Sequence, residues 1–328
     1  MEDAILYMGC VLLGGGGAWI IGKSAPRWGL VDLPNKRSSH TIPTAKGGGI
    51  GILMGFVLSS LVLEIPASFW LPATFLALFS FWGDKVELSP KFRLPVQFVV
   101  ALIFLAVHLF SDFSSAISSL PFPISLPPLA VFIVATANFY NFMDGINGIA
   151  GITGIVGFGL LAFYGYLSGI DSSFITLAIC VALACVGFLP FNIPKARVFM
   201  GDVGSILLGF VFAGMILWAS KSLLDFICLT IFLFPFYADE LTTMAVRLKH
   251  GEKLTRPHRK HLYQLLANER EIPHWKISLG YGLLQLIVGV SVLIVKPFGG
   301  MTVLLLIAVY FSGFVMVSSV VRSKLMVS

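Results

Sequence analysis

Long apolar stretches alternate with short polar ones along the whole chain. Eleven apolar runs can be marked, at about 4–22, 47–63, 67–82, 94–110, 126–142, 149–167, 173–190, 203–219, 222–238, 277–295 and 298–320. A helix of roughly 20 apolar residues crosses a bilayer, and it does so because its backbone polar groups are all bonded internally. The pattern predicts an all-α polytopic membrane protein with about 11 transmembrane helices, or 10 if one short run does not cross. Residues 1–328 read as a single membrane domain with one larger polar loop at about 239–276. Glu2 and Asp3, rather than a basic segment, precede the first run, so it reads as a retained span and not as a cleaved signal peptide.

Composition agrees with this pattern. The chain is 57% hydrophobic and 12% charged, against about 25% charged for soluble domains. The expected partner is therefore a lipid bilayer, and nucleic acid is not expected. The four cysteines, Cys10, Cys180, Cys185 and Cys228, all lie in apolar runs without CxxC or metal-type spacing, and they read as small packing residues. Gly14 to Gly17, inside the first run, read as a site of close helix packing.

Charge fixes an orientation. Twenty of the 22 basic residues fall in alternate gaps, and only Lys221 and Lys296 lie on the other side. The positive-inside rule makes the first side cytoplasmic. The N-terminus is then outside and the C-terminus cytoplasmic, as an odd number of spans requires. Nearly every residue able to do chemistry lies on that cytoplasmic side. A pore or transporter would more often place polar groups in mid-span.

Four polar blocks stand out there. Gly83 to Arg93 follows the third run, and within it Asp84 is a candidate base or metal neighbour. Asn138 to Gly151 sets Asn138, Asn141, Asp144 and Asn147 at the end of the fifth run. Arg197 to Ser205 precedes the eighth; it places Asp202 among Gly201, Gly204 and Ser205 at a helix start, where exposed N–H groups suit a phosphate and a carboxylate suits Mg²⁺. An N-capping aspartate is the plainer account of Asp202. His258-Arg259-Lys260-His261 suits a diphosphate better than zinc, or else a basic surface helix. Thr255 is read as capping a helix with Pro257 in its first turn, which would put His258, His261, Leu262 and Leu265 on one face.

Taken in order, these blocks resemble the polyprenyl-phosphate N-acetylhexosamine-1-phosphate transferases, the MraY/WecA family. The resemblance rests on Gly83-Asp84 with Leu88-Ser89-Pro90-Lys91, on Asn138-x-x-Asn141-x-x-Asp144-Gly145-x-Asn147-Gly148, on Phe199-Met200-Gly201-Asp202 and on the histidine block. Pro43-Thr44 with Gly47-Gly48, and Asp239 before Arg247, also match. The forms of the second and fourth blocks look most like the branch that initiates O-antigen or other surface glycans.

The resemblance implies an enzyme of the bacterial inner membrane with its active site on the cytoplasmic face. It would transfer a HexNAc-1-phosphate from a UDP-N-acetylhexosamine to undecaprenyl phosphate and release UMP. Mg²⁺ is the implied cofactor, with Mn²⁺ as a substitute, and a homodimer is an implied assembly. Asp84, Asp144, Asp202, His258 and His261 would be catalytic. Asp202 would be the main Mg²⁺ ligand, with Asp144 a second candidate. Lys46, Asn138, Asn141, Asn147, Arg197 and Arg259 would bind substrate. Gly83 departs from the family's first aspartate, Asn147 from its second acid, and two histidines replace the three of the peptidoglycan branch. The rival readings are a transporter of nucleotide sugars or lipid-linked sugars, and a homologue that binds UDP-sugar without turnover.

Overall fold

The computed structural model describes residues 2–34, 38–86, 88–110, 122–254 and 258–326. The expected cap at Thr255 and Pro257, and the gap charges Lys36, Arg37, Asp112 and Arg256, lie outside the described residues.

Every apolar run folds as helix. In chain order these are α1 (Glu2–Trp28), α2 (Ile50–Val62), α3 (Ala67–Lys85), α4 (Pro90–Phe110), α5 (Phe122–Phe142), α6 (Ile149–Leu167), α7 (Ser172–Phe188), α8 (Asp202–Ala219), α9 (Leu223–Thr230), α10 (Phe234–Lys249), α11 (Leu262–Asn268), α12 (His274–Val295) and α13 (Gly300–Met326). The protein is thus a predominantly α-helical membrane protein, consistent with the all-α class. Six described helical segments are long and apolar enough to cross a membrane by themselves: 3–28, 149–167, 172–191, 202–219, 274–298 and 300–325. The ninth run is not one helix. It breaks at a 3₁₀ turn, Ile231–Leu233, ahead of Pro235, which lacks the N–H an uninterrupted helix needs.

Helix α8 is the axis of the bundle and packs against α2, α3, α5 and α6. It is buried on almost every side, consistent with a sequence that is apolar all round. Close approach depends on small residues. A Cβ on Gly209 would lie 2.6 Å from the Cα of Ala137. The Gly14–Gly17 run works in the same way, since a Cβ on Gly14 would meet the Ala184 carbonyl oxygen at 2.0 Å and one on Gly17 the Cα of Gly51 at 2.4 Å. The four cysteines are all buried and unpaired.

One small element was not legible as a run. Strands β1 (Val31–Asp32), β2 (Thr44–Lys46) and β3 (Val198–Phe199) form a sheet in that order, β1–β2 antiparallel and β2–β3 parallel, with Ala45 opposite Val198 and Lys46 opposite Phe199. This sheet ties the loop before α2 to the loop before α8. Near the other end of the bundle, Lys296 pairs with Asp225, and the Tyr164 hydroxyl donates to Asp225 at 2.9 Å.

Candidate active site

The site is built where the C-terminal ends of α3 and α5 meet the N-terminal ends of α4 and α8. Asp202 opens α8. Gly201 before it has φ +73°, and a Cβ there would lie 2.8 Å from the Gly47 nitrogen, so only glycine lets the two loops touch. The N–H groups of Gly47 and Gly48 donate to the Phe199 carbonyl at 3.2 and 2.9 Å, and that of Gly49 to the Met200 carbonyl at 2.9 Å. The sheet and these bonds fix Asp202 against the end of α3.

There the Asp202 N–H donates to Asp84 Oδ2 at 2.9 Å. Its carboxylate is claimed on both oxygens, with Asn141 Nδ2 donating to Oδ1 at 2.7 Å and Arg93 pairing with Oδ2. Asn141 also donates to Ser205 Oγ, 2.9 Å away and one turn along α8. Arg93 is held in place by the carbonyls of Leu88 and Gly83, both at 2.9 Å, and stands 3.8 Å from Asp84. Lys46 Nζ donates to the Asp84 carbonyl at 3.1 Å.

Two carboxylates, Asp84 and Asp202, thus share one corner, and Asp144 lies near enough to feel the charge of both. Asp84, beyond the last apolar residue of its run, is pushed up to about 7 by burial and by the charge of Asp202; the Asp202 N–H, Lys46 and Arg93 pull the other way. Asp144, in the loop after α5, is raised well above the ordinary carboxylate range by burial and then by Asp202 and Asp84. Among the described residues no group of three or more His, Cys, Asp or Glu side chains could hold a metal by itself. Mg²⁺ does not require one: it takes one or two carboxylates and completes its shell with water and phosphate oxygens. Hard oxygen donors on mutually repelling carboxylates fit that ion.

The other predicted residues are placed as follows. Asn138 donates to Gln97 at 2.6 Å and to the Val134 carbonyl at 2.7 Å, one helical turn from Asn141. Asn147 turns away from the aspartates; its amide donates to the Pro194 carbonyl at 3.2 Å, and its own carbonyl accepts from Ser278 at 2.8 Å. Arg197 is exposed. Arg259 is exposed and pairs with Glu269 at 3.5 Å.

The histidines do not share a helical face. Residues 258–261 are not helical, and α11 begins only at Leu262 with His261 as its N-cap in a capping box with Gln264. The reason is Asp239 of α10, which accepts from the N–H groups of Leu262 at 2.7 Å and Tyr263 at 3.2 Å, so the helix starts there and not earlier. The rings of His258 and His261 lie 4.8 Å apart. Burial holds His258 down at about 4 and His261 at about 3, so both are neutral at pH 7. The Tyr263 hydroxyl donates to the Phe142 carbonyl at 2.9 Å, which joins the histidine block to the loop carrying Asp144.

Gln97 and Asn192 were missed in the sequence, while Arg93 and Ser205 stood in the first and third blocks without a contact to Asp202 or Asn141 being foreseen. Asn192 donates to the Val198 carbonyl at 2.9 Å and accepts from the Gly148 N–H, and so locks the Asp144 loop to β3. For Arg93 there was a signal: Pro90 starts α4, and that register puts Arg93 in its first turn, facing α8.

The fold and this corner define a helical membrane protein with an acidic, oxygen-rich site at one end of its bundle. The comparisons give the class a family. Residues 66–220 match the family described as Glycosyl transferase family 4. A probable undecaprenyl-phosphate N-acetylglucosaminyl 1-phosphate transferase of Bacillus subtilis is 25% identical over 263 residues, 75% of this chain and 72% of that one. An undecaprenyl-phosphate α-N-acetylglucosaminyl 1-phosphate transferase of Thermotoga maritima is 29% identical over 281 residues, 83% and 85% of the two chains. A phospho-N-acetylmuramoyl-pentapeptide-transferase of Staphylococcus saprophyticus is 32% identical over 225 residues, 62% and 67%. The chain belongs to the MraY/WecA-like family of polyprenyl-phosphate N-acetylhexosamine-1-phosphate transferases.

Proposed function

We propose that this protein transfers a HexNAc-1-phosphate from a UDP-N-acetylhexosamine to undecaprenyl phosphate, as the first step of a lipid-linked surface glycan such as O-antigen. The observation that carries this reading is the Asp84–Arg93–Asn141–Asp202 cluster. It draws on the ends of four helices, and three of its members come from blocks that family members share. The names of the relatives support the acceptor, and the sequence form of the second and fourth blocks supports the glycan branch.

In this reading the lipid phosphate oxygen attacks the sugar-side phosphorus of the nucleotide sugar. A P–O bond forms there, the bond to the uridine-side phosphate breaks, and UMP leaves with the electron pair. Two anions must be brought together and held in line. Lys46 and Arg93 supply fixed positive charge at the site, and the neutral histidines offer hydrogen bonds to diphosphate or sugar. No strong base is required, because a phosphate monoester with its second pKa near 6 is largely dianionic at pH 7. Asp202 and Asp144 would hold Mg²⁺, which when bound supplies positive charge to the diphosphate. The topology that goes with this reading has 11 spans, the N-terminus outside and the site on the cytoplasmic face of the inner membrane.

Membranes containing the chain should release UMP from a UDP-HexNAc when given C55-phosphate and Mg²⁺. Asp202→Asn should lower that release by about 100-fold or more, the scale of losing one electrostatic group of a phosphoryl or acyl site. Undiminished release by the variant would remove Asp202 from the reaction. Gly83 is the one observation favouring a chain that binds without turnover, and the same assay on the unaltered protein decides between the two.

A further inference from the structure

Helix α13 is the least buried of the six long described spans, with 17% of its window hidden in the protein. One stripe of it turns inward all the same. Phe314, Ser318 and Arg322 follow one another at four-residue spacing, which sets them on one helical face. All three are buried, on a helix that packs against α10, α11 and α12. An arginine near the end of a membrane helix ordinarily extends its charge to the aqueous interface. Arg322 is only 8% exposed and points into the bundle instead. An inward arginine in such a helix asks for a named partner.

Its partners form a relay that ends at the histidine block. Arg322 Nε donates to Ser318 Oγ at 3.0 Å, and Nη2 donates to Thr243 Oγ1 at 3.0 Å. A guanidinium only donates, so the Thr243 oxygen accepts from it and the hydroxyl proton is left for another acceptor. That acceptor is Asp239 Oδ1, 3.1 Å away. Asp239 is fully buried and takes three more donors: the N–H groups of Leu262 and Tyr263 at the start of α11, and the Tyr281 hydroxyl. Four donors are about as many as an ionised carboxylate accepts. His261 Nδ1 lies 3.8 Å from the same Oδ1, and the His258 ring 4.8 Å from that of His261.

We propose that Arg322 is a positioning residue for the transfer reaction: through Thr243 and Asp239 it sets where α11 begins, and so where His258 and His261 stand toward the nucleotide sugar. The inference rests on the transferase reading and adds to it a residue of the last helix, outside the four polar blocks. Arg322 touches no substrate in this account. It orients one hydroxyl and places positive charge behind it. Without the guanidinium, the Thr243 hydroxyl is free to turn to a backbone carbonyl one turn back, as threonine does in helices. Asp239 then loses one donor and the charge behind it, and the first turn of α11 loosens with the histidines.

The test uses the full chain in detergent and two variants, Arg322→Met and the near-isosteric Thr243→Val, which cuts the relay and keeps the arginine. Amide hydrogen exchange in α11 should quicken by about tenfold in both, the worth of one charge-assisted hydrogen bond. The KM for the UDP-HexNAc that the unaltered chain uses should rise by about tenfold, and the KM for C55-phosphate should not move. In a chain already carrying His258→Gln and His261→Gln, Arg322→Met should weaken donor binding by less than about threefold, since the changes act on one unit. Asp225→Asn, which loosens the bundle near its other end, should leave both α11 exchange and donor KM as they are. Unchanged α11 exchange in both variants, or a full tenfold loss on top of the histidine changes, overturns the positioning role and leaves the transferase reading standing. Quickened exchange in a protein that releases no UMP from any UDP-HexNAc leaves the relay standing and overturns the transferase reading.

Discussion

At the scale of single residues, Arg93 is the side chain whose replacement says most. Its guanidinium binds two carbonyls and the Asp202 carboxylate at once, which the single ammonium of lysine does not reproduce. Arg93→Lys should lower UMP release by about ten- to a hundredfold, the equivalent of one or two charged hydrogen bonds. Near-normal release would show that charge alone suffices at position 93. Gly83 lies beside the same group: a Cβ there would stand 3.4 to 3.5 Å from the guanidinium, an ordinary contact. His261 gives a pH prediction. Its folded pKa lies at about 3, below the ordinary 6.5, so the unfolded chain takes up the proton first as pH falls. Its neutral fit is fully kept above about 6.5 and is lost on acidification toward 3, by about 1.4 kcal/mol per pH unit at most. Glu240, 3.4 Å away and pushed up to about 7 by burial and by Asp239, works in the opposite sense between about 4.5 and 7. The difference between proteins is therefore the readout: His261→Gln should gain thermal stability relative to wild type as pH drops from 6.5 to 5. A constant difference across that range would mean that His261 carries its proton in the fold.

Among the elements, the short helix α11 depends on a residue from another helix. Asp239 accepts from two of its first N–H groups and from the hydroxyl of Tyr281 at 2.8 Å, and Arg322 of α13 reaches Thr243 at 3.0 Å on the same face of α10. Asparagine keeps one acceptor oxygen and adds two donors, so Asp239→Asn should cost about 1–3 kcal/mol and also weaken UDP-sugar binding, because the histidine block shifts with α11. Asp225→Asn, near the opposite end of the bundle, should lower the thermal midpoint and leave donor affinity alone. Equal effects on affinity would mean that Asp239 acts only through global stability. The helices themselves were legible because apolar runs in a membrane protein have no other way to satisfy their backbone. The break in the ninth run was written in Pro235 but hidden by unbroken apolarity around it. The three-residue β2 and its partners were not legible: they are too short for a periodic pattern and exist because the loops before α2 and α8 meet. The supposed helix through His258 failed for a related reason. Its start is set by Asp239, some twenty residues away in sequence.

For the whole molecule, charge alternation proved a good guide to which helix ends belong together. Lys46, Asp84, Arg93, Asn141 and Asp202 come from separate helix ends and loops and are joined by hydrogen bonds and an ion pair, and Tyr263 bonds the carbonyl of Phe142 beside Asn141. Counting lysines and arginines grouped these helix ends on one side of the chain's alternating gaps. Which residues touch was not available from that count, since contact depends on rotation of each helix about its axis. That is why Asn138 and Asn141, three apart on α5, reach different partners.

The burial of α8 has a consequence for how the protein is made. A segment enters the bilayer on its own hydropathy, surrounded by lipid, before its neighbours are present. Of the window through α8, 89% ends up hidden within the protein, against 17% for α13. The segment that carries Asp202 must therefore exchange a complete lipid coat for a complete protein coat after insertion. Lipid tails are as apolar as leucine, so only close packing at contacts such as Gly209 against Ala137 favours that exchange. Biogenesis then has two checkpoints, and a damaged contact on α8 passes the first and fails the second: the chain is inserted, correctly threaded, and never assembled around its own active site.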